Sequence, residues 1–373
     1  MTEFFDMLRE WPPERVRDLL EGSDCEQAVE RALARPVPEA HDFAALLSPA
    51  AALRLEPMAR RAAALTRQRF GHVLQFYAPL YVSNHCVNSC RYCGFNRRNR
   101  VQRRCLTIDE AVAEATVLAE QGFRHILLVS GEDRKAVPVD YFTELTVRLR
   151  QLFASIAIEI YPLAEAGYRR LVEAGVDSLT LYQETYLPDL YSRMHPDGPK
   201  RDFRFRLESV ERAARAGVAF LGIGALLGLA DWRVDGFYVG LHARWLLRNY
   251  WRQQVSVSFP RLRQASGALI PPCPVDDRAF VQLMIAQRLF LPDAGLVLST
   301  REDAELRDRL IPLAVTRLSA GSKTTPGGYA NEADGEPQFE VQDHRSLAAM
   351  HERVRQLGFD PVDKDWDCAY HSP

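Results

Sequence analysis

Short apolar runs alternate with longer amphipathic segments along most of the chain. From residue 77 onward, eight runs rich in apolar or β-branched residues are separated by stretches in which apolar residues recur at helical spacing. Such alternation is typical of βα units around a parallel sheet. It predicts strands at 77–83, 125–130, 156–160, 178–182, 219–224, 255–259, 296–299 and 314–320. The helices predicted between them cover 107–121, 140–153, 165–174, 203–216, 236–250, 276–291 and 302–309.

Glycines mark the ends of three of these helices. At 120–123, 173–176 and 215–218, a glycine follows the last helical residues and a strand begins directly after it. Glycine is favoured there because the position past a helix end is often left-handed. Eight units with these stops indicate an α/β fold with a (βα)8 TIM-like barrel, and an open barrel of six units is the alternative.

The same pattern divides the chain into three parts. Residues 1–70 contain only predicted helices and no residues with evident chemistry, so they form an N-terminal helical extension. Residues 71–335 carry the barrel. Residues 336–373 are expected to form a C-terminal helix and tail packed on it.

The composition is typical of a soluble globular protein. Of the 373 residues, 47% are hydrophobic and 26% are charged, which argues against disorder. A net charge of −2 argues against bulk nucleic-acid binding. No apolar run approaches the roughly 18 residues of a membrane span, and no secretory pattern opens the chain. Because Cys25, Cys105, Cys273 and Cys368 lack disulfide-like spacing, we expect a reducing, cytoplasmic location.

Cys86, Cys90 and Cys93 lie close together, directly after the first predicted strand. Thiolate sulfur is a soft donor for zinc, copper(I) or iron–sulfur clusters, and a closed structural zinc site needs four protein ligands. Three thiolates leave one position open, so an iron–sulfur cluster held by them would have one iron free for another ligand. The alternative is a zinc knuckle completed by a remote His or Cys, or by the neighbouring His85.

Polar and glycine residues recur where the predicted strands end. In a barrel of this type, the carboxyl ends of the strands surround the active site. The segments concerned are 130–132, 183–185, 222–228, 258–263, 299–301 and 322–328. Each alone is a weak signal, because such residues also make turns and caps. Their repetition at one face of the barrel predicts a single active site there.

The loop at 84–96 has the spacing Cys-x3-Cys-x2-Cys with Tyr92 before the last cysteine, the hallmark of radical S-adenosylmethionine enzymes. Further stretches of the chain resemble one family, the tyrosine lyases of thiamine thiazole biosynthesis, or 2-iminoacetate synthases. They are 81–84, 92–95, 129–132, 182–186, 222–229, 256–261, 298–302, 322–329 and 364–367. The resemblance extends over residues 70–370 and is specific in order and spacing.

The resemblance implies a 4Fe-4S cluster on Cys86, Cys90 and Cys93, with S-adenosyl-L-methionine on its fourth iron. A 5′-deoxyadenosyl radical would then cleave the Cα–Cβ bond of L-tyrosine to 2-iminoacetate (dehydroglycine) and p-cresol, which makes the protein a carbon–carbon lyase. The thiazole synthase would be the partner that receives the imine. The arginines at 97–104 are expected to bind an acidic electron donor of flavodoxin or ferredoxin type, and a solvated charge run is the alternative.

The resemblance and side-chain charge together suggest how the cofactor is bound. Glu132 would accept from the ammonium group of S-adenosylmethionine, with Gly131 allowing close backbone approach. Arg206 would bind its carboxylate, unless it is an exposed helix arginine. Glu184 or Gln183 would accept from the ribose hydroxyls. The expected cofactor-binding residues are Tyr92, Gly131, Glu132, Gln183, Glu184, Arg206, Gly222 and Gly224.

The expected catalytic residues are Arg301, Tyr92 and Ser299. Tyr92 would also offer its backbone carbonyl to the adenine. Arg301 is expected to clamp the carboxylate of tyrosine by a bidentate pair. The alternative for Arg301 is a salt bridge with Glu302 or Asp303 in the same segment.

Three rival functions remain open from the sequence. A hydrogenase-maturation tyrosine lyase shares the barrel but continues into a domain with further cysteines, whereas only Cys368 follows here. A tryptophan lyase is the second, because the pocket residues that select the substrate are not evident. A zinc-stabilised binding protein is the alternative that is not an enzyme. The sequence does not indicate which group takes the proton from the substrate.

Overall fold

The computed structural model describes residues 3–330 and 335–363. The motif at 364–367, Cys368 and the rest of the predicted tail lie outside these residues.

Eight parallel strands form a closed barrel. They are β1 (Val73–Ser83), β2 (His125–Ser130), β3 (Ser155–Glu159), β4 (Ser178–Thr180), β5 (Phe220–Gly224), β6 (Gln254–Ser258), β7 (Gly295–Leu298) and β8 (Arg317–Ser319). Neighbours in the sequence pair in parallel, and β1 pairs with β2 on one side and β8 on the other, which closes the ring. The prediction of a (βα)8 TIM-like barrel is confirmed, and the six-unit alternative is wrong.

Helices precede the barrel and connect its strands. Before β1 lie α1 (Phe4–Glu10), α2 (Pro13–Gly22), α3 (Glu26–Ala34), α4 (Ala40–Leu46), α5 (Pro49–Ala52) and α6 (Leu55–Phe70). Between strands lie α7 (Ile108–Glu120), α8 (Val139–Leu149), α9 (Glu165–Ala174), α10 (Pro188–Met194), α11 (Phe203–Leu207), α12 (Ser209–Arg215), α13 (Trp232–Asn249), α14 (Asp277–Phe290) and α15 (Ala304–Leu310). The helix predicted at 203–216 is therefore two helices that meet at Glu208. The short helix α10 was not predicted.

The chain returns to β1 after the barrel is complete. Helix α16 (Leu347–Gln356) is followed by β9 (Asp360–Val362), which pairs in parallel with Val73–Gln75 at the start of β1. The sequence pattern placed the start of this strand at residue 77. In the structure, the strand begins at Val73. Its first residues pair with β9, which lies near the other end of the described chain, so the local pattern did not indicate them.

The N-terminal helices pack on α13 and α14. Phe43 in α4 stacks on Phe290 in α14, with ring centroids 4.0 Å apart. Gly240 in α13 makes this possible, because a Cβ there would collide with the Phe43 ring. Gln282 in α14 donates from its side-chain amide to the carbonyl oxygen of Leu46 at 3.0 Å. Among the described helices, none is long and apolar enough to cross a membrane.

The strand that leads into the cysteine loop ends in an irregular pairing. Tyr81 pairs with Val129, but Ser83 pairs with Ser130, so β1 contains one extra residue at this point. Such a bulge bends the strand and changes the direction of the side chains that follow. The loop begins at the bulge, at the carboxyl end of the barrel.

Candidate active site

A chamber of about 930 Å³ opens at the carboxyl ends of the barrel strands. Its wall combines the cysteine loop, the ends of several strands and a segment at 335–342, which we name the strap. The sequence-predicted residues that line the chamber are Cys86, Cys90, Cys93, Tyr92, Gly131, Glu132, Glu184, Arg206 and Arg301. The structure thus gathers most of the predicted site at one place.

The three cysteines are held on a loop that is fixed from two sides. The backbone N–H of Val87 donates to the carbonyl oxygen of Glu132 at 2.9 Å. The backbone N–H of Lys200 donates to Asn88 Oδ1 at 2.9 Å. Burial raises the pKa of the Cys90 thiol to about 12, although the Lys200 cation opposes this shift. The loop is therefore anchored to the end of β2 and to the segment after α10.

The residues around the thiols suit an iron–sulfur cluster with one open iron. Three soft sulfur donors face the chamber, and the acceptor Glu132 lies beside them with Oε2 held by Asn88 Nδ2 at 2.7 Å. A Cβ on Gly131 would collide with the carbonyl oxygen of His85, so only glycine lets these backbones approach. Within residues 3–330 and 335–363, no group of three or more His, Cys, Asp or Glu side chains is arranged to hold a single metal ion.

Glu184 lies in a left-handed turn after β4. Its φ angle is 71°, a conformation that residues with a side chain rarely adopt. Lys200 Nζ lies 2.6 Å from Glu184 Oε1, and Arg206 Nη2 lies 3.6 Å from the same oxygen. Burial alone would raise the pKa of Glu184, but these two cations outweigh it and keep the pKa below its usual value. Arg206 also donates to the Tyr182 carbonyl oxygen at 2.8 Å, so it is a buried chamber residue and not an exposed helix arginine.

Asp235, in the first turn of α13, anchors this strained turn. Its Oδ1 accepts from the Tyr186 backbone N–H at 2.8 Å and from the Thr185 hydroxyl at 3.1 Å. The carboxyl group is buried, and burial raises its pKa to about 7. The conformation that aims Glu184 into the chamber thus depends on a contact from a neighbouring helix.

Three predicted cofactor-binding residues do not line the chamber. Gln183 turns its amide to the carbonyl oxygen of Phe203 at 3.2 Å. Gly222 faces a separate cavity inside the barrel. Gly224 packs so closely on β6 that a Cβ would collide with the carbonyl oxygen of Ser258. The two glycines serve strand packing, a use that the Gly-x-Gly pattern alone cannot distinguish from cofactor contact.

Arg301 points into the chamber from the end of β7. Its guanidinium lies 3.3 Å from the centroid of the Phe339 ring in the strap. Glu302 accepts from Arg261 Nε at 2.8 Å, and Asp303 caps the start of α15. Among the described residues, neither acid pairs with Arg301, so the salt-bridge alternative is not what the structure shows. Burial lowers the pKa of Arg301, and nearby acidic groups oppose the shift.

Glu159, the last residue of β3, belongs to the site but was not predicted. It lines the chamber and an adjoining cavity of about 500 Å³, which Tyr81, Ser299 and Arg301 also line. Burial raises the pKa of Glu159 to about 7, and the negative charge of Glu184 adds to the effect. The signal in the sequence was an acidic residue near the end of the apolar run at 156–160.

The strap and Lys200 were also missed. The Gln338 backbone N–H donates to the Thr324 carbonyl oxygen at 3.0 Å, which fixes the strap across the barrel mouth. A Cβ on Gly94 would lie 2.7 Å from the Gln338 carbonyl oxygen, so the strap also presses on the cysteine loop. The strap is irregular, and Lys200 lies in a single 3-10 turn, Pro199–Arg201. Neither segment is long enough in regular structure to show hydrophobic periodicity, so no local signal marked them.

The arginine run at 97–104 splits into internal and exposed members. Arg103 donates to carbonyl oxygens within the cysteine loop at 2.6 to 2.9 Å and so ties the loop together. Arg97 pairs with Asp197 at 2.5 Å. Arg98 and Arg100 are exposed. Part of the run therefore has a structural role, and part is presented to solvent.

Comparisons with known proteins agree with the site. The Radical SAM superfamily model matches residues 80–238, and the Biotin and Thiamin Synthesis associated domain model matches residues 258–360. The chain is 45% identical to the 2-iminoacetate synthase of Escherichia coli (strain K12), a match that covers 98% of this chain and 97% of the relative. It is 43% identical to that of Salmonella typhimurium over the same shares.

A solved structure shows the same architecture over nearly the whole chain. The FeFe-hydrogenase maturase HydG from Carboxydothermus hydrogenoformans superposes with a TM-score of 0.85 at 32% identity, covering 94% of this chain and 83% of that chain. Its sequence is less similar to this chain than those of the two synthases are. The identity to the synthases over almost their full length confirms the predicted family: the chain belongs to the 2-iminoacetate synthases of the radical S-adenosylmethionine superfamily.

Proposed function

We propose that the protein cleaves the Cα–Cβ bond of L-tyrosine to 2-iminoacetate (dehydroglycine) and p-cresol, for the thiazole part of thiamine. The observation that carries the proposal is the chamber itself, where three cysteines of one loop face a buried network of acids and arginines inside a closed barrel. The relatives named 2-iminoacetate synthase match this chain over almost all of its length.

The three cysteines support the place that we propose for the cofactor. Cys86, Cys90 and Cys93 would hold a 4Fe-4S cluster, and S-adenosylmethionine would take its fourth iron. When bound, this pair supplies the 5′-deoxyadenosyl radical that removes hydrogen from the substrate. The protein's own residues then have three tasks, which are to orient the cofactor, to hold the amino acid and to exclude water.

Charged side chains of the chamber would orient S-adenosylmethionine. Glu132 has Oε2 fixed by Asn88, and its Oε1, which lies 3.9 Å from Arg134 Nη2, would accept from the ammonium group. Arg206 offers a planar fork for the carboxylate. Glu184 stays ionised because Lys200 and Arg206 flank it, and an ionised carboxylate is a strong acceptor for ribose hydroxyls.

Arg301 and Glu159 would hold the substrate. The Arg301 guanidinium is stacked on Phe339, so its N–H groups point outward in the plane and can bind a carboxylate with two parallel bonds. Glu159 lies across the same cavity, and with a pKa of about 7 it can hold or release a proton at the amino or phenol group of tyrosine. Ser299 adds a hydroxyl to this cavity.

A product assay tests the reaction. The reconstituted protein is incubated without oxygen with dithionite, S-adenosylmethionine and L-tyrosine, and p-cresol is measured. Formation of 5′-deoxyadenosine without p-cresol would reject the tyrosine-lyase function. A parallel incubation with L-tryptophan, in which 5′-deoxyadenosine and indole products are measured, distinguishes the tryptophan lyase.

The role of Arg301 is tested by Arg301→Gln. Loss of a charge-assisted bidentate pair costs about 1.5–3 kcal/mol, so we expect the tyrosine KM to rise about 10- to 150-fold while 5′-deoxyadenosine formation continues. The matched control is Arg309→Gln, an exposed arginine on α15 that pairs with Glu305. A normal tyrosine KM in Arg301→Gln would remove this assignment.

Two protein partners and a location complete the proposal. The thiazole synthase would receive the unstable imine. A flavodoxin- or ferredoxin-type electron donor would bind at the exposed arginines beside the cysteine loop, where opposite charge speeds association. The free thiols of Cys25 and Cys273 are exposed, which supports a reducing, cytoplasmic location.

A further inference from the structure

The strap is the segment that contacts both the cysteine loop and the substrate cavity. Gln338 and Phe339 line the chamber and the adjoining cavity. Phe339 packs under Arg301, while the Gln338 backbone presses on Gly94, the residue after Cys93. A side chain at Gln338 is therefore within reach of the third cysteine and of the substrate end.

The Gln338 side chain bridges Cys93 and Tyr81. Its Nε2 lies 3.7 Å from Cys93 Sγ, and its Oε1 accepts from the Tyr81 hydroxyl at 2.7 Å. A thiolate has no proton to donate, so the nitrogen end of the amide must face the sulfur. The oxygen end then faces the tyrosine hydroxyl, which donates. The contact with Tyr81 thus fixes the orientation in which Gln338 donates to sulfur.

A second amide near a cysteine has a different partner. Asn88 Nδ2 lies 3.8 Å from Cys86 Sγ but only 2.7 Å from Glu132 Oε2. The short contact to the carboxylate is the stronger one, because donation to an ionised oxygen is favoured. Gln338, in contrast, directs its amide nitrogen at the sulfur.

We propose that Gln338 is a positioning residue that raises the reduction potential of the cluster by donating a hydrogen bond to Cys93 Sγ. The inference rests on the cluster assigned in the proposed function. An added electron increases the negative charge on the cysteine sulfurs, so a donor to sulfur stabilises the reduced cluster more than the oxidised one. Tyr81 supports this effect by holding the other end of the amide.

The test is a redox titration of full-length reconstituted protein, followed by the EPR signal of the reduced cluster. Gln338→Met keeps the chain length and removes the donor. Gln338→Glu keeps an acceptor for Tyr81 but places negative charge beside the sulfur. For Gln338→Met, we expect the ratio of reduced to oxidised cluster at a fixed potential to fall about tenfold, or about 59 mV for a one-electron couple. For Gln338→Glu, we expect this ratio to fall further.

The matched control is Gln342→Met in the same strap. Gln342 contacts Thr300 through its backbone N–H, which the substitution keeps, so its potential should equal that of the wild type. A wild-type potential in Gln338→Met overturns the inference. If that variant takes up no cluster, Tyr81→Phe carries the test, since it keeps the glutamine but removes the hydroxyl that orients it. An unchanged potential in Tyr81→Phe then overturns the inference.

Failure of the proposed function has a separate signature. Iron content and visible absorbance of the reconstituted wild type report whether the cysteines hold a cluster at all. A wild-type protein without a cluster refutes the proposed function and, with it, the inference. A wild-type protein with a reducible cluster whose potential is indifferent to Gln338 refutes the inference alone.

Discussion

Replacing Glu159 by glutamine should remove a pH-dependent loss of stability. Burial, aided by the negative charge of Glu184, raises the pKa of Glu159 from its ordinary value of 4.5 to about 7. Between these pH values, the folded protein keeps a proton that the unfolded chain has released. Stability therefore falls as the pH rises through this window, and the loss is complete above about pH 7.

The magnitude follows from the width of the window. From 4.5 to about 7 is about 2.5 pH units, and each unit corresponds to about 1.36 kcal/mol, which gives an upper bound of about 3.4 kcal/mol. Glu159 is partly exposed to the chamber, so solvent screening reduces this to about 2–3 kcal/mol. Glutamine resembles the protonated acid, so the variant should gain this amount relative to the wild type at pH 8 and almost none near pH 4.5.

Urea unfolding of the cluster-free proteins, followed by far-UV circular dichroism between pH 4.5 and pH 8, measures the effect. Asp235, whose pKa is also about 7, lowers the stability of both proteins in the same window, so its contribution cancels in the difference. A difference between Glu159→Gln and wild type that does not change with pH would refute the reasoning.

Other changes test the cysteine loop, the strained turn and the exposed arginines. Gly131→Ala should prevent cluster uptake, measured as iron content, because a Cβ would collide with the carbonyl oxygen of His85; normal iron content would contradict this. Asp235→Ala leaves a buried backbone N–H without its acceptor, at a cost of about 1–3 kcal/mol. S-adenosylmethionine affinity, measured by equilibrium dialysis, should fall about tenfold, and an unchanged affinity would separate Asp235 from the cofactor. Arg98→Ala with Arg100→Ala should slow reduction by an acidic flavodoxin-type donor and flatten its salt dependence; wild-type rates at every ionic strength would exclude that docking surface.

Local signals were sufficient for much of the fold and for grouping the three cysteines. Strand β2 and helix α9 lie at the predicted residues because the residues at their ends are ones that favour a stop there. Gly175, directly after α9, has a φ of 117° that suits glycine. The three cysteines occupy one short loop, so their common purpose is visible without any knowledge of the fold.

Contacts between distant segments could not be predicted. Gln338 contacts Cys93 across 245 residues of sequence, and it accepts from Tyr81 across 257 residues. No periodicity relates such positions, because only the closed ring brings them together. Gly222 shows a second limit. From the sequence alone, a glycine that serves packing cannot be distinguished from a glycine that contacts a cofactor.

The route by which β1 is completed bears on when the cysteine loop is covered. Strand β1 is flanked by β8 and β9, and the cysteine loop is covered by the strap, all from the later part of the described chain. Contacts of such large sequence separation form slowly, because long loops must close first. During synthesis the cysteine loop therefore leaves the ribosome well before its cover. A nascent chain that ends before residue 335 lacks the strap, so the cover over the three thiols forms only when synthesis is nearly complete.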